Sequence, residues 1–377
     1  MHSHQLLIAK LNDMNYRLRQ QKLHSQLAES RLGTLLITSL PNIRYLCGFT
    51  GSAAVLLVCQ NQSFFFTDGR YTAQARAEVH ASRMIIGRKA PLLGAAEWVR
   101  ANPKRVGLHT KALGIEAEHL TVAERQRLKE LLPSKVKLRS VSQFVEKARM
   151  LKDADEISRL RAAVLRGSKL FDVVLKAIRP GVRETEVAAE LEYAARKAGA
   201  EGMSFETIIA SGPRSALPHG RASSARIPPR GFVVCDFGVI LAGYCSDMTR
   251  TVHVGRPSAE ARGIYDAVRE AQQAAIAAVN PGVSLGEVDR AARNVLKRDG
   301  LGRYFTHSTG HGVGLEIHEA PRVANGQKEV LQPGMVITIE PGAYLPGRGG
   351  VRIEDMVVVT ANGCEVLTPT TKEMAVI

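Results

Sequence analysis

Four carboxylates and one imidazole, set in apolar or glycine-rich surroundings, carry most of the chemistry this chain could perform. The run Phe232-Val-Val-Cys-Asp236-Phe-Gly-Val-Ile-Leu-Ala-Gly-Tyr-Cys-Ser-Asp247 places two aspartates on either side of Ala242-Gly243. A two-residue turn at that dipeptide sets Asp236 opposite Thr249 and Asp247 opposite Gly238. Side chains alternate with period two, so both aspartates face one side as diagonal neighbours, roughly 7–8 Å apart. Two cations about 3.5–4 Å from each other can bridge such a span. A lone buried carboxylate is costly unless it is paired or metal-bound, which is why aspartate is depleted in apolar strands. The competing reading is one edge carboxylate and one turn residue, both solvated.

The C-terminal part supplies the remaining donors. Glu340 ends the apolar run Val336-Ile337-Thr338-Ile339, just before Pro341-Gly342, and Glu354 sits inside the run Val351-Arg352-Ile353 with Arg352 on its face. His311 stands between glycines in Ser308-Thr309-Gly310-His311-Gly312-Val313-Gly314, where the backbone can fold closely around an ion. Four carboxylates and an imidazole form a mainly hard-oxygen set, suited to Mn, Co, Fe or Zn. Taken singly, His311 reads as a hydrogen-bonded core histidine; taken together, four strand-borne acids need a common positive partner. His219 in Ala216-Leu-Pro-His-Gly, His318 in Glu316-Ile-His-Glu and Arg322 lie in polar, turn-rich stretches, and each alone reads as structural or solvent-facing. His307 and His311 have helical i,i+4 spacing, but the segment has a glycine and lacks the glutamate of a zincin helix.

The elements that must position these residues fall into two parts. Apolar strands are expected at Thr34–Thr38, Ala53–Val58, Ser63–Thr67 and Met84–Ile86, with a turn-rich stretch over Leu40–Ser52 and a helix over Tyr71–His80, an α/β alternation. Charged residues from Glu146 open a long amphipathic helix that Arg179-Pro180-Gly181 stops, so a domain boundary is placed at 148/149. Beyond it, helices are expected at Glu184–Ala198, Ala259–Val279 and Leu285–Arg298. Strands follow at Gly231–Ile240, Tyr244–Val254, Met335–Glu340 and Val351–Thr360, largely as antiparallel hairpins, an α+β arrangement. The order carboxylate, turn, carboxylate occurs twice, at Asp236/Asp247 and Glu340/Glu354.

Composition excludes several classes. With 377 residues, 45% hydrophobic and 23% charged, the chain is globular rather than disordered or fibrous. No run approaches the ~18 apolar residues of a membrane helix, and the polar, basic start lacks a secretory signal, so a cytoplasmic protein without membrane partners is expected. Five cysteines without a CxxC suggest neither a disulfide framework nor a zinc knuckle. The net charge of +15 is concentrated in residues 1–140, which hold 21 Lys and Arg against 9 Asp and Glu. Such a surface attracts phosphates, but aromatics are 5% and no nucleic-acid-reading motif accompanies the charge, so specific nucleic-acid binding is not expected.

The order His219, Asp236, Asp247, His311, His318, Glu340, Glu354 resembles that of the pita-bread metallopeptidases. The phrases GHGVGLEIHEAPR, TIEPGAY and VRIEDM are similar to those of its proline-specific branch, the Xaa-Pro aminopeptidases and Xaa-Pro dipeptidases (prolidases). NIRYLCGFTGS and FFFTDGRY resemble that branch's creatinase-type N-terminal domain. The first twenty or so residues and Lys111–Lys137 carry no motif of the family. The resemblance implies an α/β creatinase-like domain over 1–148 and, over 149–377, an α+β pita-bread catalytic domain with a curved, mainly antiparallel, internally duplicated sheet. It further implies a homodimer with two divalent metal ions per chain, Mn first among them. Asp236 and Asp247 would bind the first metal, His311 and Glu340 the second, with Asp247 and Glu354 shared. His219 and His318 would face the substrate, and Arg322 would hold its C-terminal carboxylate.

On this reading the substrates are small peptides with proline at the second position. The cations lower the pKa of water, Glu340 passes its proton to the leaving imide nitrogen, and His219 and His318 donate hydrogen bonds. Two other readings share the fold: a metal-independent creatinase-type hydrolase and a non-enzymatic partner-binding relative. Both lose ligands that this chain keeps.

Overall fold

The computed structural model of the protein describes residues 14–106 and 112–377. Part of the unmatched N-terminal stretch, and Lys111, lie outside the described residues. The chain divides into two compact units between Arg149 and Met150.

In the first unit six strands, β1 (Leu32–Ile37), β2 (Val55–Cys59), β3 (Ser63–Asp68), β4 (Arg83–Gly87), β5 (Ala112–Glu116) and β6 (Leu138–Val141), form one sheet in the order β4-β3-β2-β1-β5-β6. β2 runs antiparallel to both β1 and β3, and the outer pairings are parallel. β1 and β2 are buried at every position and therefore read as continuous apolar runs. The expected turn over Leu40–Ser52 is instead a helix, Leu40–Cys47, with Pro41 in its first turn and Gly48 closing it at φ 88°. Proline costs nothing at a helix start and glycine adopts the left-handed cap, so two residues that read as turn-formers bound a helix here. The expected helix over Tyr71–His80 is shorter, Thr72–Glu78, after a 3-10 turn.

The second unit repeats one plan. Helices Ala154–Ala177 and Glu184–Lys197 pack on β8 (Ile208–Ser211), β9 (Gly231–Phe237) and β12 (Met248–Val254) through Leu170, Val174, Val187 and Leu191. β7 (Gly202–Met203) joins a small sheet with β10 (Val239–Leu241) and β11 (Tyr244–Cys245). Helices Ala259–Ala277 and Leu285–Arg298 then bury Val268, Ala271, Val288 and Leu296 against residues of β15 (Val336–Ile339), β16 (Gly342–Leu345), β17 (Gly349–Arg352) and β18 (Asp355–Thr360). β13 (Gly310–Gly312), β14 (Glu319–Val323) and β19 (Gly363–Val366) complete the five-stranded sheet β14-β13-β15-β18-β19. Among the described residues every ladder between these strands is antiparallel. Each helix pair is separated by a Pro-Gly turn, with Gly181 at φ 86° and Gly282 at φ 82°. Among the described residues no helix is long and apolar enough to cross a membrane.

Several expected elements break, among them the strands Gly231–Ile240 at Gly238 and Tyr244–Val254 at Ser246-Asp247. The helix expected from Glu146 ends at Met150 and restarts at Ala154, because Asp153 accepts from the Glu156 N–H while the Glu156 side chain reaches back to the Asp153 N–H. That reciprocal cap begins a new helix. The strand expected over Val351–Thr360 is interrupted at Ile353-Glu354, so Glu354 sits at a break between β17 and β18, not inside a strand.

Candidate metal centre

The turn at Ala242-Gly243 forms as the sequence predicts. Ile240 pairs with Cys245 and Leu241 with Tyr244, and the two turn residues have φ of 50° and 80°. Both positive values mark the turn that matches the twist of a two-residue hairpin. Asp236 stands opposite Thr249. The ladder lapses beyond Phe237, where the Ser246 carbonyl comes so close to Gly238 that a Cβ there would lie 1.7 Å from its oxygen. The second half follows the same plan: β15 pairs with β18, β16 with β17, and Glu340 and Glu354 occupy the two breaks between them. Each half thus delivers two carboxylates at or close to a lapse in a long hairpin: Asp247, Glu340 and Glu354 in the lapses, Asp236 two residues before Gly238 and still in β9.

His311 lies in the middle of β13. Its flanking glycines let the neighbouring strands approach closely. A Cβ on Gly310 would lie 1.9 Å from the Thr338 oxygen, and one on Gly312 would lie 2.3 Å from the Ala320 oxygen. The ring contacts the Gly312 carbonyl through Nδ1 at 3.0 Å. A donor at Nδ1 leaves Nε2 with its lone pair directed at Asp247 Oδ2, 3.5 Å away, and Glu340 Oε1, 3.6 Å away.

All eight residues singled out in the sequence line one cleft of about 650 Å³. Asp236, Asp247 and Glu354 are buried at its floor, His311 and Glu340 are partly buried, and His219, His318 and Arg322 are exposed at its mouth. Asp247, His311 and Glu354 each offer a ligand atom within 4.8 Å of the others. The His311 and His318 rings meet edge to face, 4.4 Å between centroids.

Burial and mutual repulsion govern the floor. Burial raises the Asp247 carboxyl well above its ordinary value, and the Glu354, Asp236 and Glu340 charges add to this. Burial, then Glu340 and Asp236, likewise raise Glu354. Burial lifts Glu340 to about 7, although Arg352 pulls against it. Burial lowers His311 to about 4, so its ring is neutral at pH 7. One buried guanidinium faces four carboxylates, which leaves the cluster short of positive charge. Asp236 Oδ1 and Asp247 Oδ1 are buried without a hydrogen-bond partner. Buried polar atoms are otherwise nearly always paired, so two orphaned carboxylate oxygens beside an available imidazole nitrogen fit divalent cations.

Sequence reasoning assigned no role to Arg352, Tyr344 or Thr249. Arg352 donates to Asp236 Oδ2 at 2.5 Å, Thr249 Oγ1 at 3.0 Å, the Pro218 carbonyl at 3.0 Å and the Tyr344 hydroxyl at 2.7 Å. Thr249 in turn donates to Glu354 Oε2 at 2.7 Å. His307 Nε2 lies 2.8 Å from the Tyr344 hydroxyl, so its place is beside Tyr344 and not in a helix with His311. The signal for Arg352 was its shared face with Glu354.

Residues 158–361 match the model of metallopeptidase family M24, and residues 19–151 match the creatinase/prolidase N-terminal domain. The chain belongs to metallopeptidase family M24. It is 46% identical over 267 residues to the Xaa-Pro dipeptidase of Pyrococcus furiosus, covering 71% of this chain and 76% of that one. Its structure is similar to that of the Xaa-Pro dipeptidase from Bacillus anthracis, with a TM-score of 0.91 and 41% identity over 96% of this chain and all of that one. It is also similar to an X-Pro aminopeptidase from Thermotoga maritima, with a TM-score of 0.85 and 35% identity over 95% and 99% of the two chains. The M24 protein is therefore a hydrolase of a family that uses divalent metals, built as a creatinase-like domain followed by a pita-bread domain. Neither the metal-free creatinase reading nor the non-enzymatic reading is favoured by these relatives, which are peptidases.

Proposed function

We propose that this protein hydrolyses, in a metal-dependent reaction, the bond between an N-terminal residue and a following proline, with Xaa-Pro dipeptides as its first substrate class. The observation that carries this reading is the gathering of four acids and one imidazole in a single cleft, with two buried carboxylate oxygens unpartnered. The likeness to Xaa-Pro dipeptidases supports the proline specificity. Residues 1–148 would be the creatinase-type domain and 149–377 the catalytic domain.

Asp236, Asp247, His311, Glu340 and Glu354 would hold two divalent ions, with Asp247 and Glu354 shared; the oxygen-rich donor set suits Mn, and also Co, Fe or Zn. Bound ions supply Lewis acidity that lowers the pKa of water and polarises a carbonyl. The chain's own residues do the rest. Glu340 accepts the proton of the attacking water and delivers it to the leaving imide nitrogen. Proline demands such a donor because its nitrogen carries no hydrogen. His318 and His219, exposed at the cleft mouth, donate hydrogen bonds to the substrate carbonyl and the charge developing on it. Arg322, on the strand paired with His311, offers its fork to the dipeptide carboxylate.

Five free cysteines, four of them buried, suit a reducing cytoplasm. The family resemblance supports a homodimer, which sedimentation of the metal-loaded protein checks. The function is tested with Xaa-Pro dipeptides, Xaa-Pro peptides of three to five residues and Xaa-Ala controls, with product analysis. Cleavage before proline and slow or absent cleavage of the controls is expected. Equal cleavage of both series would contradict the reading.

A further inference from the structure

Lys152 and Glu319 form an ion pair, Nζ to Oε2 3.2 Å, whose side chains are only 1% and 6% exposed. Neither belongs to the proposed donor set. A pair this dry gains little net stability, because desolvation offsets most of the attraction. The surroundings show what it fixes. Lys152 lies in the short link before the helix Ala154–Ala177, anchored by its backbone N–H on the Gly334 carbonyl at 2.9 Å. Glu319 is the first residue of β14, opposite Gly312, and directly follows His318.

The Glu319 carboxylate sits inside the loop that joins His311 to His318. Its Oε1 accepts the Glu316 N–H at 3.0 Å. A Cβ on Gly314 would lie 2.6 Å from Oε2 and 2.7 Å from Oε1, so glycine there makes room for this carboxylate. The loop is tied on its other side by the Gly314 carbonyl, which accepts the Cys245 N–H at 2.8 Å. The lysine ammonium therefore holds the carboxylate around which the loop closes, and the loop ends at an exposed His318.

We propose that Lys152 and Glu319 are positioning residues that act through His318, holding its ring at the cleft mouth where it meets the substrate. This rests on the reading of His318 as a substrate-facing group, and the experiment separates the two. Wild type, Lys152→Met, His318→Ala and the double variant are loaded with Mn, and metal content, thermal stability, kcat and KM are measured on one Xaa-Pro dipeptide. Lys152→Met is expected to keep its metal and lose about 10–100-fold in kcat, by analogy with partners that orient a metal ligand. The double variant is expected to be no slower than His318→Ala, because a residue acting only through His318 has nothing left to act on. Wild-type turnover in Lys152→Met, or losses that multiply in the double variant, would overturn the proposal. Should His318→Ala itself retain full activity, the assignment of His318 fails, and the positioning proposal with it. If Lys152→Met does not fold, Glu319→Gln, which keeps an acceptor for the Glu316 N–H while removing the ion pair, runs the same cycle with the same expected non-additivity.

Discussion

The Arg352 guanidinium holds one oxygen of Asp236 at 2.5 Å, while the other oxygen of that carboxylate is buried with no donor. One side of Asp236 is thus fixed by a permanent cation, and the other is the oxygen proposed to meet an exchangeable one. Arg352→Met removes this orientation together with the bonds to Thr249, Pro218 and Tyr344. Loss of a partner that orients a ligand typically costs about 10–100-fold in metal affinity or activity. Metal titration of activity in the variant should show that loss; an unchanged titration curve would assign Arg352 to packing alone.

The metal-free protein should lose stability as pH rises above about 6.5. Asp247, Glu340 and Glu354 have folded pKa values raised above their unfolded ones, Glu340 to about 7. The folded state therefore binds more protons than the unfolded chain once pH exceeds the ordinary carboxylate range, and its stability falls with pH. His307 and His311 act oppositely. Their folded values of about 4 make stability rise between about 4 and 6.5. Above that window the carboxylates act alone. Thermal melts of chelator-treated protein should decline from pH 6.5 to 8, less steeply in Glu340→Gln, and added divalent metal should suppress the decline. A melting temperature that rises over this range would contradict the reading.

His318→Ala should reduce kcat by about 10²–10³, the usual cost of one donor to a developing negative charge. Bound metal should stay near the wild-type amount, since the ring stands at the cleft mouth and not among the floor carboxylates. Metal analysis alongside kinetics decides this. Parallel loss of metal would move His318 into the ligand set.

Arg250 is a stability prediction apart from catalysis. Its guanidinium, 2% exposed, meets the fully buried Asp355 at 2.7 Å and the carbonyls of Glu354, Thr370 and Thr371. Breaking a buried pair from one side strands a charge and costs about 3–5 kcal/mol. Asp355 also holds Lys372 at 2.6 Å and Gln272 at 2.9 Å, so denaturant unfolding of Arg250→Met should show a loss toward the lower end of that range, and a change below about 1 kcal/mol would mean that these two partners alone suffice.

The site was legible because its acids are chemically out of place. Asp236 and Asp247 interrupt an apolar run, and the register that Ala242-Gly243 imposes follows from turn geometry alone. The repeated carboxylate–turn–carboxylate order likewise pointed to two hairpins, but not to the lapses in pairing beside their acids. What escaped was decided by tertiary contact. Arg352 in an apolar strand carries no sign of its four partners, and Tyr344 looks like any core aromatic until the guanidinium and His307 reach its hydroxyl. In the first unit, the helices Pro91–Ala101 and Val122–Leu131 were not anticipated. The second is mostly polar, with Leu128 as its buried residue, and so shows little apolar periodicity.

The clustered acids are proposed to hold two divalent ions that drive Xaa-Pro hydrolysis. This is tested most directly by stripping the protein with chelator and titrating Mn back while following hydrolysis of an Xaa-Pro dipeptide and bound metal together. The stripped protein should show no turnover, recovery should level off at two ions per chain, and Glu354→Ala should show neither binding nor recovery. Turnover that survives chelation, or Glu354→Ala that binds two ions and works normally, would contradict the proposal.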